Sequence, residues 1–479
     1  MRKSFFILLN SLALLGLLVS CKAADVPVPV PEQQPEPEQG KETEEQELEP
    51  FTFSVESTAE NHIFEGKPVF NLHLQNPNSV EASAEIKATI YTDANKNLTT
   101  IQFVRNVPAK GSADIVVTTE ENLDPGFYKI TGKVGRKTFL AAVPFGVDPY
   151  QISSIPDMEN DFDDFWQDAY DQLRAVDMKP GFVPTSKDGT YLVEMNSIPD
   201  GLEGSPMVIR GYYVEPLQDG KAHPAIVHYY GYDDWPGTGL LSCPSGRSEF
   251  AHLYLSTRGQ RLNARSASQR EDGIAEDFAN PYDKQWFTVN FGDKDSYYYR
   301  GAYMDCVQGI RFLALCEDEK VKGKIDMENI FVEGMSQGGA FSYAAAALST
   351  EYPVRALAAA VAFMGDFPDY FVIAANEGGG FPSMAQSCKK QLGWDDAQMY
   401  SFLSYFDTKN LATRVSCPIM ACIGLMDRIC PAHTNIAPYN NALTPMDSKQ
   451  MTFYPGMDHA TPPGWDTDTR SFFKNKMKQ

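Results

Sequence analysis

One stretch, Asn329–Leu348 with the sequence NIFVEGMSQGGAFSYAAAAL, restricts what this chain can fold into more than any other. Ile330, Phe331 and Val332 form a short β-prone run, Gly334-Met335-Ser336-Gln337-Gly338 fits G-x-S-x-G, and Ala340–Leu348 is rich in helix formers. A strand that reverses straight into a helix forces Ser336 into strained backbone geometry, and a Cβ at Gly334 or Gly338 would collide within the turn. The strain presents the hydroxyl to solvent and aims the helix N-terminus at the same point. The bare pattern arises by chance in about one chain of this length in ten at average Gly and Ser usage, so its weight comes from the strand before it and the helix after it.

From Pro149 onward, runs with helical and strand periods alternate, which predicts an α/β domain with a mostly parallel sheet over 149–479. Phe162, Phe165, Trp166, Ala169 and Leu173 share one face of a helix. Tyr191–Asn196 and Val208–Val214 read as a leading antiparallel pair, followed by strands over Pro224–Tyr230 and Leu253–Thr257. Two late strands matter most. Ile419–Gly424 is followed in its loop by Asp427, and Met451–Tyr454 by His459. The order Ser336, Asp427, His459, with acid and base each just past a late strand, is that of the α/β-hydrolases and predicts a catalytic triad. Asp366 also follows a strand-like run, Val361–Gly365, and some hydrolases take their acid from an earlier strand; the flanks of Asp427 favour it.

The chain begins differently. Arg2 and Lys3 precede an apolar run from Phe5 to Val19 that closes in Leu18-Val19-Ser20-Cys21. Residues 1–21 therefore read as a lipoprotein signal peptide with Cys21 as the lipidated residue. The apolar run is short of the ~20 residues a spanning helix needs. The expected location is outside the cytoplasm, lipid-anchored to a bacterial membrane; Lys22 after the cysteine, by likeness to bacterial lipoproteins, favours the outer membrane. Residues 22–50, largely Pro, Glu and Gln, cannot bury enough surface to offset their ordering entropy and read as a disordered spacer. The spacer carries a visible share of the formal net charge of −22, and an acidic chain without a basic stripe argues against nucleic acid as a partner. Over 51–148, seven short alternating runs separated by turn residues such as Asn76-Pro77-Asn78 and Asp124-Pro125-Gly126 predict a small antiparallel β-sandwich. It contains no catalytic grouping; His62 and His73 read as surface or ladder histidines.

Further motifs accompany the triad: Arg258-Gly259-Gln260 after a strand, Gly334–Gly339 at the elbow, Gly424-Leu425-Met426-Asp427 with Cys430-Pro431 behind it, and the closing His459, supported by Gly231-Tyr232 and Tyr297–Arg300. In these residues the portion from about Phe162 to the end resembles the acetyl xylan esterases and cephalosporin C deacetylases, carbohydrate esterase family seven. Two positions depart from it: Ala460 stands where the family has Glu, and Met335 replaces the small residue before the serine. The residue after a nucleophile donates its backbone N–H to the oxyanion, here Gln337. The resemblance implies Tyr232 as the second backbone donor, and Arg258 and Gln260 as braces of the loops around it. It also implies deacetylation of xylan-derived or related oligosaccharides or small acetyl esters, and ring-like homo-oligomers, which an added N-terminal domain is able to alter or block.

Other conspicuous residues read more plainly. His228 and His252 fit satisfied core histidines, and His433 lies near the acid loop without a chemical step. Of the eight cysteines, the seven beyond Cys21 show no metal spacing and most read as small apolar fillers; export permits a disulfide, and the odd number leaves at least one thiol free. Trp235, Trp465 and Tyr297 suit sugar stacking and core packing equally. No dinucleotide, phosphate-loop or zinc-protease pattern occurs, so no cofactor or metal is expected. Besides a serine esterase, two other readings stand at this point: a serine peptidase of the prolyl-oligopeptidase type, which also places a β domain before an α/β-hydrolase, and a non-enzymatic glycan-binding surface lipoprotein.

Overall fold

The computed structural model describes residues 48–135, 138–139, 142–232, 243–244, 246–260, 262, 282, 284–376 and 380–478. The signal peptide with Cys21, most of the spacer, and Trp235 lie outside the described residues. Strands come first along the chain: β1 Thr52–Ser57, β2 Ile63–Phe64, β3 Val69–Gln75, β4 Ala82–Thr92, β5 Asn97–Val107, β6 Ser112–Thr118, β7 Gly126–Val134, β8 Thr138–Phe139 and β9 Val143–Val147. They form a three-stranded sheet, β1-β3-β6, and a second sheet ordered β2-β9-β7-β4-β5 with β8 on β7. Period-two sequence makes the core: Phe70, Leu72 and Leu74 of β3 and Ala84, Ile86, Ala88 and Ile90 of β4 point inward, and Phe64, Phe70 and Phe145 meet edge to face. The expected sandwich is present with one difference. β2 pairs with β9 in parallel, and both β2 and β8 are two-residue strands, too short to leave a period in the sequence.

The second part is built on a nine-stranded sheet. Its strands are β10 Gly181–Pro184, β11 Thr190–Ser197, β12 Met207–Val214, β13 His223–Tyr229, β14 Ala251–Ser256, β15 Ile325–Met335, β16 Ala356–Ala360, β17 Ile419–Gly424 and β18 Lys449–Tyr454. Their order is β10-β11-β12-β14-β13-β15-β16-β17-β18. From β14 to β18 all pairings are parallel, and the first three strands add an antiparallel edge. Parallel strands covered on both faces read as unbroken apolar runs, and every residue of β16, ALAAA, is buried. The helices are α1 Phe162–Ala175, α2 Tyr298–Leu315, α3 Gln337–Leu348, α4 Phe367–Asn376, α5 Gly380–Leu392, α6 Asp396–Ser404, α7 Thr408–Leu411, α8 Ala432–Asn441 and α9 Trp465–Lys476. α1 buries the face expected from its spacing. On one side of the sheet α9 seats Phe472 and Phe473 against Phe331; on the other, α2 and α3 join the main core. Trp465 and Tyr297 are core residues.

The two parts pack together within one unit, Glu49–Gln479. Phe127 of β7 belongs to the core of the α/β part, 6.4 Å from Phe453, and the Tyr150 ring lies 6.0 Å from both Tyr439 and Phe453. Asn440 Nδ2 donates to the carbonyls of Pro149 and Ile152 at 3.1 and 3.0 Å, tying the connecting segment to α8.

Candidate active site

β15, β17 and β18 run parallel, so the loops after them emerge at one edge of the sheet, where an open α/β sheet places its ligands. Ser336 sits between β15 and α3 with φ 59° and ψ −123°, a conformation L-residues avoid. Two backbone bonds hold it there: Ser336 N–H to Ala360 O and Phe363 N–H to Ser336 O, both 3.0 Å. The glycines are required by close approach. A Cβ on Gly334 would stand 2.4 Å from the Gly338 carbonyl group, and one on Gly338 would stand 2.3 Å from Tyr229 O. Ser336 is 9 % exposed, so its hydroxyl is largely covered, beside Cys430, rather than turned out to solvent as expected.

His459 Nδ1 lies 2.8 Å from Asp427 Oδ2. A carboxylate only accepts, so Nδ1 carries the proton and Nε2 is left as the basic nitrogen. The other oxygen, Asp427 Oδ1, accepts N–H bonds from Ile429 and Cys430 at 2.9 and 2.8 Å. Those bonds hold the carboxylate in place, with its side chain fully covered. Asp366, the other candidate acid, points elsewhere: its Oδ1 takes Lys409 Nζ at 2.9 Å and its Oδ2 lies 3.5 Å from His433 Nε2.

Cys430 fills the space between these groups. Its Sγ is 4.0 Å from Ser336 Oγ, and atoms of Asp427, Cys430 and His459 lie within 4.8 Å of one another. Burial, with Asp427 adding to it, pushes the thiol well above its ordinary pKa, so it stays protonated and unreactive. In sequence this cysteine is no more than a small apolar filler behind the acid; only the fold shows that what it fills is the wall beside the serine. All seven described cysteines are free thiols. Asp427, Cys430 and His459 form one group of metal-capable atoms among the described residues, and Asp366, Asp369 and His433 form the other. In both, the carboxylates already accept N–H donors.

The turn expected to bind the oxyanion lies against the serine: a Cβ on Gly231 would sit 3.8 Å from Ser336 Cβ. Gln337 opens α3, where the first N–H groups of a helix have no intrahelical partner. Its side chain is buried and accepts the Tyr299 hydroxyl at 2.8 Å, leaving the backbone to face the site. Tyr232 follows Gly231, its ring packed on Trp286 and Phe381. Gln260 reaches this turn directly: Nε2 donates to Gly231 O at 3.0 Å, while Oε1 accepts Thr257 N–H at 3.0 Å. Arg258 is fully buried and fixes the loop from beneath. Its Nε and Nη2 bind Asp305 at 2.9 and 2.7 Å, and Nη1 binds Asp200 at 2.7 Å. Burial pulls the guanidinium pKa down, but Asp305 more than reverses this, so the charge is permanent. Asp305 belongs to no motif legible in the sequence; its one signal is that it is the lone acid of α2.

His228 and His252 are satisfied in the core as expected. His228 bridges Glu333 at 2.7 Å and His252 at 2.9 Å, and stacks on Tyr254. His62 and His73 lie in the sandwich, at Pro144 O and at exposed Asp114.

His433 turns out to clasp the two parts together. Its ring faces Asp369 at 3.0 Å, Asp366 at 3.5 Å and, from the β4–β5 turn of the sandwich, Asp93 at 3.9 Å, with Lys409 on the far side of Asp366. Burial alone would lower its pKa, but hydrogen bonds to Asp366 and Asp369 and the field of Asp93 carry it up to about 10. A raised histidine pKa contributes stability fully below the unfolded value of about 6.5 and loses it as pH rises through the folded value. His433→Gln is therefore expected to lower unfolding free energy at pH 6 by about 1.5–3 kcal/mol, the worth of hydrogen bonds to charged groups. The gap to wild type should close as denaturant titrations move toward pH 10; a gap that widens with pH would show the ring is neutral.

Fold and elbow define an enzyme of the α/β-hydrolase class. Within that class the chain belongs to the acetyl xylan esterase family, whose AXE1 model matches residues 149–477, and it is a carboxylic ester hydrolase. Acetyl esterase Axe7A of Xylanibacter ruminicola is 25 % identical over 384 residues, 78 % of each chain. Acetyl xylan esterase 1 from a Thermoanaerobacterium species has the same fold, with a TM-score of 0.54 at 22 % identity over 69 % of this chain and 98 % of that one. An acetyl xylan esterase from a Paenibacillus species gives 0.52 at 24 % identity, covering 67 % and 97 %.

Proposed function

We propose that this esterase removes acetyl groups from xylan-derived or related oligosaccharides through an acyl-enzyme on Ser336. Ser336 Oγ is a poor nucleophile at neutral pH, so His459 Nε2 takes its proton as Oγ attacks the acetyl carbonyl. Asp427 keeps the imidazole in the tautomer that leaves Nε2 free and stabilises the imidazolium. The tetrahedral oxyanion accepts the backbone N–H groups of Gln337 and Tyr232, each donor worth ~3 kcal/mol of barrier. His459 then returns the proton to the departing sugar hydroxyl, the bond between the acetyl carbon and the sugar oxygen breaks, and acetyl-Ser336 forms. Water deprotonated by His459 attacks that ester and releases acetate. The observation that carries the reading is the 2.8 Å bond from His459 to a carboxylate held by two further N–H donors, in a chain of this family.

The space at the serine is walled by the Cys430 thiol, 4.0 Å from Ser336 Oγ, and by the Gly231 turn, where an added Cβ would stand 3.8 Å from Ser336 Cβ. Acetyl aryl esters should be cleaved faster than butyryl esters by about tenfold or more, because overpacking costs ~1–3 kcal/mol in a tight site. Paired assays on the two esters, beside acetate release from acetylated xylo-oligosaccharides and cleavage of a proline-containing peptide amide, check this. Faster butyryl hydrolysis would refute the small acyl pocket, and faster amide cleavage would make the chain a peptidase.

We also propose that Cys21 anchors the protein by acyl groups to the outer membrane, with residues 22–50 as its tether; the support is the apolar run ending in Leu18-Val19-Ser20-Cys21. Cys21→Ser should shift the protein from the detergent phase to the aqueous phase and leave its signal uncleaved; unchanged partitioning would mean another anchor.

A further inference from the structure

The acetyl xylan esterase family model begins at residue 149, so the sandwich lies outside the part of the chain that defines the family. It does more than precede the site. Between its strands β7 and β9 and the loops after β17 and β18 lies an open cleft of about 370 Å³, within the range of small-ligand sites. Asp427 lines this cleft with its loop while its carboxylate faces away, toward His459. Asp458, directly before His459, lines it too, so the cleft adjoins both loops that carry the acid and the base.

We propose that this cleft is a glycan subsite, in which the sandwich holds a stretch of the oligosaccharide whose acetyl group is at Ser336; this rests on the deacetylation proposed above. The lining chemistry selects such a ligand. Tyr128, stacked on Phe145, closes the floor with apolar surface suited to the C–H faces of sugar rings. The rim mixes the cations Lys129 and Arg428 with the carboxylates of Asp458 and of Asp93, which also faces His433 at 3.9 Å, and Asp427 adds a third acid whose carboxylate is turned to His459. Groups of both signs, with acids no fewer than bases, suit a neutral polyhydroxylated chain that donates and accepts hydrogen bonds along its length, and give an anion no preference. Arg428 and Asp458 are 3.8 Å apart and more than half exposed, so they can exchange their weak mutual pairing for sugar hydroxyls at little cost. A bare esterase domain has only one wall of this cleft; the sandwich supplies the other.

The test uses the purified full-length chain with Ala142→Trp, which fills the cleft from an exposed position, and Lys129→Ala, which removes a rim donor. Both should raise KM for acetylated xylohexaose about tenfold with kcat kept, the loss of roughly one good subsite contact. Hydrolysis of para-nitrophenyl acetate, too small to reach the cleft, should not change. In parallel, the Ser336→Ala chain should bind unacetylated xylohexaose by calorimetry, and adding Ala142→Trp should abolish that binding. An unchanged KM for the oligomer, an equal loss on both substrates, or xylohexaose binding indifferent to Ala142→Trp would each overturn the proposal. If wild type releases no acetate from xylo-oligosaccharides, the substrate reading fails by itself, and the binding experiment still decides whether the cleft takes a glycan. Preference for a uronic acid-bearing chain over the neutral one would overturn the charge argument and with it the assignment.

Discussion

Ser336→Ala should lower the hydrolysis of an aryl acetate by about four to six orders of magnitude while changing stability by less than about 0.5 kcal/mol. The expectation of inactivity follows from the mechanism, since no other hydroxyl stands at the elbow to attack the ester. The expectation of unchanged stability follows from the geometry. The strain belongs to the backbone at φ 59°, which alanine must adopt as serine does, and the hydroxyl's hydrogen-bond contact is a thiol at 4.0 Å. Thermal melting beside esterase assays and fluorophosphonate labelling measures both halves. Activity above a tenth of wild type would remove Ser336 as the nucleophile, and a large drop in melting temperature would mean that the hydroxyl serves packing.

Asp427→Asn and Asp366→Asn should fail in opposite ways. Asparagine at 427 turns an acceptor into a group that also donates, which allows the imidazole the wrong tautomer, and the expected loss is about 10⁴ in kcat with KM nearly kept. At 366 the loss should be in stability. Burial works against ionising this carboxyl, but hydrogen bonds from His433 and Lys409 hold its pKa well below the ordinary range. Losing the charge leaves Lys409 and His433 poorly compensated in a buried cluster, for which a cost of up to about 3–5 kcal/mol is typical. A depressed carboxyl pKa gives stability above the unfolded value near 3.9 that disappears as pH falls, so the difference between wild type and Asp366→Asn should shrink in acid. Steady-state kinetics and denaturant melts on both variants give the ranking, and the reverse ranking would move the acid to Asp366.

The candidate site was legible in the sequence where chemistry and local backbone coincide. A nucleophile elbow needs its two glycines within five residues of chain, Gly334 and Gly338, because a Cβ on the first would collide with the second and a Cβ on the second with Tyr229 of the adjoining strand. Asp427 and His459 could be found because strand ends are visible as short apolar runs and the chain order of the fold is fixed. The leading antiparallel strands, the parallel strands and the α1 face were legible for the same reason: period and length are local properties.

What the sequence determined by itself, then, is the fold class, the strands and the α1 face that show a period, and the elbow with its candidate partners in order. What only the tertiary structure decided is every pairing whose partners are far apart in the chain and share no period. Arg258 finds Asp305 across the main core, Gln260 braces Gly231, Cys430 comes to lie beside Ser336, and His433 binds Asp93 of the sandwich. Local pattern reports which face of an element is buried, but it carries no information about which buried face meets which. That is settled when separate layers close over one another and each desolvated charge must find its counter-charge or remain unpaired at a cost of several kcal/mol.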